Sequence, residues 1–248
     1  MLNTLVHGAP TAHPPLLIAH GLFGSARNWG VIAKRLSETR QVTVVDMRNH
    51  GASPWADSQT YPDMAADLAG VLTGPSDILG HSMGGKAAMV LALTRPELVR
   101  RLVVADIAPV AYDHTQLDKI AAMRRVDLDR VTSRAEAADM MGLNDPGLAA
   151  FFLQSLDLEG KRWRLNLKAL AANMPGIMGF PEVSAVFKGP ALVLTGARSD
   201  YVLPEHHARI RALFPHARFA KIPDAGHWLH AEKPREFVAE VESFLDQG

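Results

Sequence analysis

Four short runs of β-prone, mostly apolar residues recur through the first half of the chain: Leu16–Ala19, Val42–Val45, a run led by Asp77-Ile78-Leu79, and Arg101–Ala105. Between them lie stretches with helical spacing, at Trp29–Leu36, around Tyr61–Leu72, and at the alanine-rich Lys86–Thr94, which Pro96 ends. Continuously apolar strands that alternate with helices have few solutions. They predict an α/β domain whose mostly parallel sheet is covered by helices on both faces.

The alternation then stops. From about Ala108 to Lys188 the sequence has helical segments, proline breaks after Met174 and Phe180, and no clear strand. It resumes with a strand at Ala191–Thr195, a helix at Glu205–Leu213, a short strand at Phe219–Ile222 and a last helix at Arg235–Leu245. The expected organisation is therefore a core formed by residues 1–109 and 189–248, interrupted by a helical cap over 110–188. At 248 residues the chain is long enough to bury a substantial core without covalent staples.

Charge and cysteine content exclude several kinds of function. Lys plus Arg equals Asp plus Glu, 26 each, so no electrostatic footprint for nucleic acid or anionic lipid is present. The chain has no cysteine, which removes disulfides, thiolate nucleophiles and cysteine-ligated metal centres. No histidine spacing describes a zinc site, so neither a metal nor an organic cofactor is expected. No basic segment followed by a long apolar run opens the chain, and Leu16–Ala19 is far too short to span a bilayer. The expectation is a soluble, cytoplasmic protein whose partner is a small molecule rather than a nucleic acid or a membrane.

Gly80-His81-Ser82-Met83-Gly84 joins the third strand to the following helix. A G-x-S-x-G stretch in that setting lifts a serine hydroxyl above the carboxyl ends of the strands, where open α/β sheets bind ligands. Ser82 is the expected nucleophile. The loop His20-Gly21-Leu22-Phe23-Gly24-Ser25 follows the first strand, where an oxyanion donor belongs. Leu22 is the first choice for that backbone N–H and Phe23 the second, with the N–H of Met83 as its partner. Among 11 histidines, His227 in Gly226-His227-Trp228 stands out. It lies in a loop after the last strand, and the order serine, acid, histidine suits a base there. His230 is the weaker choice, and His81 is expected to point away from the nucleophile. Two aspartates qualify as the third member: Asp106 ends the fourth strand, and Asp200 follows the strand Ala191–Thr195.

These stretches, together with Asp46-Met47-Arg48-Asn49-His50-Gly51 and Asp106-Ile107-Ala108-Pro109-Val110, resemble the α/β-hydrolase superfamily over nearly the whole chain. The branch they resemble comprises small bacterial carboxylesterases and acyl-thioester hydrolases, related to mitochondrial α/β-hydrolase-domain proteins. The resemblance implies the α/β-hydrolase fold and cleavage of esters or acyl thioesters through an acyl-enzyme. It puts the acid at Asp106 in that branch and at Asp200 in the wider superfamily, with the lean toward Asp106. Arg48 either faces an anionic group, such as the phosphates of a coenzyme A ester, or holds a structural loop with His50; the second is the expectation. An acyltransferase, lyase or perhydrolase could use the same triad. A phosphate-binding loop is a rival reading of Gly80–Lys86, but Ala87 stands where that motif needs Ser or Thr.

Overall fold

The computed structural model describes residues 1–247. Among these residues nine strands run in chain order: β1 Thr4–His7, β2 Leu16–Ala19, β3 Val42–Val45, β4 Ser76–His81, β5 Val99–Ala105, β6 Leu156–Asp157, β7 Arg162–Trp163, β8 Ala191–Gly196 and β9 Ala217–Ile222. Seven form one sheet in the order β1-β3-β2-β4-β5-β8-β9. All its pairings are parallel except β1 with β3. The parallel α/β sheet expected from the alternating runs is therefore present. The edge strand β1 was not expected: its Leu5 and Val6 are exposed, so it lacks the long apolar run that marked the inner strands.

The helices are α1 Gly30–Leu36, α2 Tyr61–Ala69, α3 Met83–Thr94, α4 Leu117–Arg124, α5 Arg134–Met141, α6 Pro146–Leu153, α7 Leu167–Ala172, α8 Met174–Met178, α9 His206–Leu213, α10 Leu229–Glu232 and α11 Pro234–Leu245. Successive strand residues feed opposite faces of the sheet. Leu17, Ala19 and Ile78 pack with Met64 and Leu68 of α2 and with α3. Leu16, Ile18 and Leu79 pack with Ile32 and Leu36 of α1 and with Phe237 and Val241 of α11. Helix α3 begins at Met83, three residues earlier than its alanine-rich run suggests. Gly84 and Gly85 are poor helix formers, and burial against the sheet overrides that weakness.

Between β5 and β8, which pair in the sheet, lies the inserted segment with α4 to α8. It is not free of strands as expected. Leu156↔Trp163 and Asp157↔Arg162 form a small antiparallel ladder, too short to leave a period in the sequence. The segment is tied back to the core at Gly51 N–H to Arg164 C=O and at Asn166 N–H to Asn49 C=O. No helix among the described residues is long and apolar enough to cross a membrane.

Candidate active site

Ser82 sits between β4 and α3 with φ +52° and ψ −121°, a conformation held by its surroundings rather than by local preference. A Cβ on Gly80 would fall 2.3 Å from Gly84 O, and one on Gly84 would fall 2.4 Å from Ala19 O. Side chains at these two positions are sterically forbidden, which is the physical content of the motif. Ser82 N–H donates to Ala105 O at 3.0 Å, fastening the turn to β5.

Ser82 Oγ lies 3.1 Å from His227 Nε2, and His227 Nδ1 lies 2.7 Å from Asp106 Oδ2. A carboxylate only accepts, so Nδ1 carries the ring proton and Nε2 is left to accept from the serine hydroxyl. Asp106 is fully buried. Its carboxylate also accepts from Gly196 N–H at 3.2 Å and from the Ser199 hydroxyl. Asp200 is exposed and belongs to neither set of contacts. Of the two candidate aspartates, the fold brings Asp106 to the histidine.

Other elements hold the His227 ring and its loop. Tyr201 stacks on the ring at 4.0 Å between centroids. His81, buried beside the nucleophile, donates from Nε2 to the backbone oxygen of His227 at 2.8 Å. His230 stacks on Trp29 at 4.2 Å and lies 4.7 Å from His81. Neither His81 nor His230 reaches the serine hydroxyl. Their roles as supports had no signal in sequence, because they depend on contacts across 146 and 201 residues of chain.

The oxyanion candidates separate on their hydrogen bonds. Phe23 N–H donates to His50 Nε2 at 3.2 Å and is therefore engaged, which removes the second choice for the donor. Leu22 N–H and Met83 N–H have no acceptor among the described residues. The Phe23 side chain still lines the pocket. The loop carrying these groups rests on Asp46-Met47-Arg48-Asn49-His50-Gly51. His20 donates from Nδ1 to Gly21 O and accepts at Nε2 from Met47 N–H. Asp46 accepts from Ala26 N–H at 2.7 Å and Ala52 N–H at 2.9 Å. Arg48 pairs with Asp67 at 2.6 Å and with Asp63, so it holds this loop and does not face the pocket.

Burial holds His20, His50, His81 and His230 below the ordinary histidine range, with His50 and His230 at about 3. The unfolded chain protonates the same rings near 6.5. Between these limits the unfolded state binds more protons, so stability falls as pH falls, by up to about 1.4 kcal/mol per pH unit for His50 and for His230, with His20 and His81 acting in the same direction. Asp77, pushed up to about 6 chiefly by burial, and Glu242, raised chiefly by burial, act in the opposite direction, but they are two groups against four. The melting temperature should therefore drop steadily from pH 7 to pH 5 in a thermal-shift series. A constant value over that range would contradict the neutral buried rings.

A cavity of about 270 Å³ opens onto Ser82 and His227. Leu148, Phe151, Phe152, Ile177 and Met178 of the inserted segment form its apolar wall. The rings of Phe151 and Phe152 lie on this wall, whereas some other large apolar residues of the segment do not. Trp163 and Met174 are buried in the core, and Phe180 packs beside Tyr61. Among the described residues no group of three or more His, Asp or Glu is arranged to hold a metal ion.

Comparison with known proteins adds to this geometry. The model of a family described as the alpha/beta hydrolase family matches residues 16–241. The chain is 42% identical to the sn-1-specific diacylglycerol lipase ABHD11 of Mus musculus, covering 94% of this chain and 81% of that one. It is 38% identical to the esterase YbfF of Escherichia coli strain K12, covering 99% of each. A solved structure described as a marine microorganism esterase superposes with a TM-score of 0.93 at 36% identity, over 98% of both chains.

Proposed function

Since the chain belongs to the alpha/beta hydrolase family and is an ester-bond hydrolase, we propose that it works through a Ser82–His227–Asp106 triad on carboxylic esters with an aliphatic acyl chain. The observation that carries this reading is the continuous hydrogen-bonded chain, 3.1 Å from serine to histidine and 2.7 Å from histidine to aspartate. Ser82 Oγ attacks the ester carbonyl carbon as His227 Nε2 takes its proton. The developing oxyanion accepts from the free N–H groups of Leu22 and of Met83, the latter at the amino end of α3, whose dipole favours negative charge. His227 then protonates the departing alkoxide. A water molecule deprotonated by the same nitrogen attacks the acyl-enzyme and releases the acid. Asp106 holds the ring tautomer and stabilises the imidazolium. Every proton transfer runs through His227, so these steps need no metal or organic cofactor.

Residues 110–188 act in this reading as a cap that supplies the acyl wall. The mouse relative is named for a diacylglycerol, whose acyl chains are of the class this wall would take. A cavity of about 270 Å³ suits one such chain beside the scissile bond. Burying a methylene gains about 0.8 kcal/mol, or roughly a fourfold gain in binding. Esters of one alcohol, from acetyl to octanoyl, should therefore show KM falling with chain length and then levelling. A flat series would remove the apolar acyl slot. The same series made as coenzyme A thioesters tests whether the leaving group is an alcohol or a thiol. Faster turnover of the thioesters at every length would move the assignment to a thioesterase.

A further inference from the structure

Lys86 lies one helical turn after the nucleophile on α3, and its side chain is buried, with backbone oxygens rather than a carboxylate as its hydrogen-bond partners among the described residues. An ammonium group in such a place is costly to keep, and an apolar residue of similar length is usually tolerated better. The contacts of Nζ account for it. It donates to Val110 O at 2.8 Å, Met178 O at 3.0 Å and Gly179 O at 2.6 Å. These three acceptors use all three of its protons, which leaves none for a substrate anion. The rings of Tyr112 and Tyr61 face the same nitrogen at 4.7 and 5.7 Å.

The positions of these carbonyls give the contacts a function. Val110 lies where the inserted segment leaves the core, and Met178 and Gly179 lie where α8 ends before the chain returns to β8. Two further bonds reinforce the junction: Tyr61 O–H donates to Ile177 O, and Tyr112 N–H donates to Met178 O. Ile177 and Met178 are also walls of the cavity above Ser82.

We propose that Lys86 is a positioning residue for acyl selectivity: it binds both ends of the inserted segment to the helix that follows the nucleophile and thereby fixes Ile177 and Met178 as the inner wall of the acyl pocket. The role rests on the esterase reading above, but it makes a separate claim. Lys86 touches neither the oxyanion nor the proton path; it decides how firmly the distal wall meets a long acyl chain.

The test compares the octanoyl-to-acetyl ratio of kcat/KM in wild type, Lys86→Met and Tyr61→Phe, with competent Ser82 counted by fluorophosphonate titration. Lys86→Met should lower the ratio about tenfold through the octanoyl KM, equivalent to about one well-packed side-chain contact. Tyr61→Phe removes one bond of the same junction and should lower it by a smaller factor of about three. An unchanged ratio in both variants, or an equal loss for both substrates, overturns the proposal. If Lys86→Met does not accumulate as folded protein, Tyr61→Phe decides alone, and an unchanged ratio there is fatal. A wild-type ratio near one removes the acyl slot and this role with it. Turnover that survives Ser82→Ala strikes the triad instead, whatever the ratio.

Discussion

Replacing Ser82 with alanine should lower kcat by about 10⁴–10⁶ and abolish labelling by a fluorophosphonate. The size of the effect follows from what the change removes and what it spares. Among the described residues that line the cavity, only this hydroxyl is hydrogen-bonded to a histidine whose other nitrogen meets a buried carboxylate. The free amides of Leu22 and Met83 and the apolar wall are untouched, so weak residual activity above the uncatalysed rate is expected. Alanine at φ +52° is no better suited to the turn than serine, and among the described residues the Ser82 side chain has no hydrogen bond other than that to His227. The melting temperature should therefore move little, and loss of activity cannot be ascribed to unfolding. Intact-mass measurement of the labelled protein gives the second readout. Labelling of Ser82→Ala at the wild-type site count would overturn the assignment of the nucleophile.

Ser82 and His227 were legible in the sequence because each has a local signature. The steric requirement at Gly80 and Gly84 is written into five consecutive residues, and the histidine loop follows the last strand. The candidate acid had no such signature, because Asp106 and Asp200 both follow strands and sequence does not reveal which strands are neighbours. In the sheet, β5 pairs directly with β4, and the register places His81 opposite Ala105. Ser82 and Asp106 are each the next residue, so they leave the sheet side by side, both with positive φ. Asp200 stands four residues beyond the end of β8, in an exposed bend. The loop proposed to hold the oxyanion offered two neighbouring backbone N–H candidates in the sequence. The choice between Leu22 and Phe23 depended on His50, 27 residues away, which takes the Phe23 proton. Lys86 was visible as the lysine of a stretch that mimics a phosphate-binding loop and as the start of an alanine-rich helical run, neither of which points to its contacts. Its partners at residues 110, 178 and 179 are brought to it by an insertion whose path no local pattern records. The hairpin of β6 and β7 stayed hidden for a similar reason, since two residues per strand cannot establish a period.

Asp106→Asn should reduce kcat by about 10⁴, the loss seen when a serine protease triad aspartate is made an amide. The surroundings of Asp106 make the change hard to accommodate. Its carboxylate takes protons from three donors, His227 Nδ1–H, Gly196 N–H and the Ser199 hydroxyl. An asparagine that turns its oxygen to His227 and Ser199 directs its NH₂ at the Gly196 N–H, donor against donor. Turned the other way, the NH₂ faces His227 and forces the ring to accept at Nδ1, which puts the proton on Nε2, where the Ser82 proton has to go. Either orientation costs a buried hydrogen bond, and the second also disables the base. The loss should therefore fall on kcat more than on KM, with some loss of stability. Asp200→Asn removes an exposed charge outside this network and should change kcat by no more than about twofold, the range of an ordinary surface substitution. The two variants are to be compared at one pH after circular dichroism has shown both folded. A collapse with Asp200→Asn and near-normal rates with Asp106→Asn would reverse the assignment. Substantial losses in both, deeper in the double variant, would mean that the two carboxylates share the imidazolium.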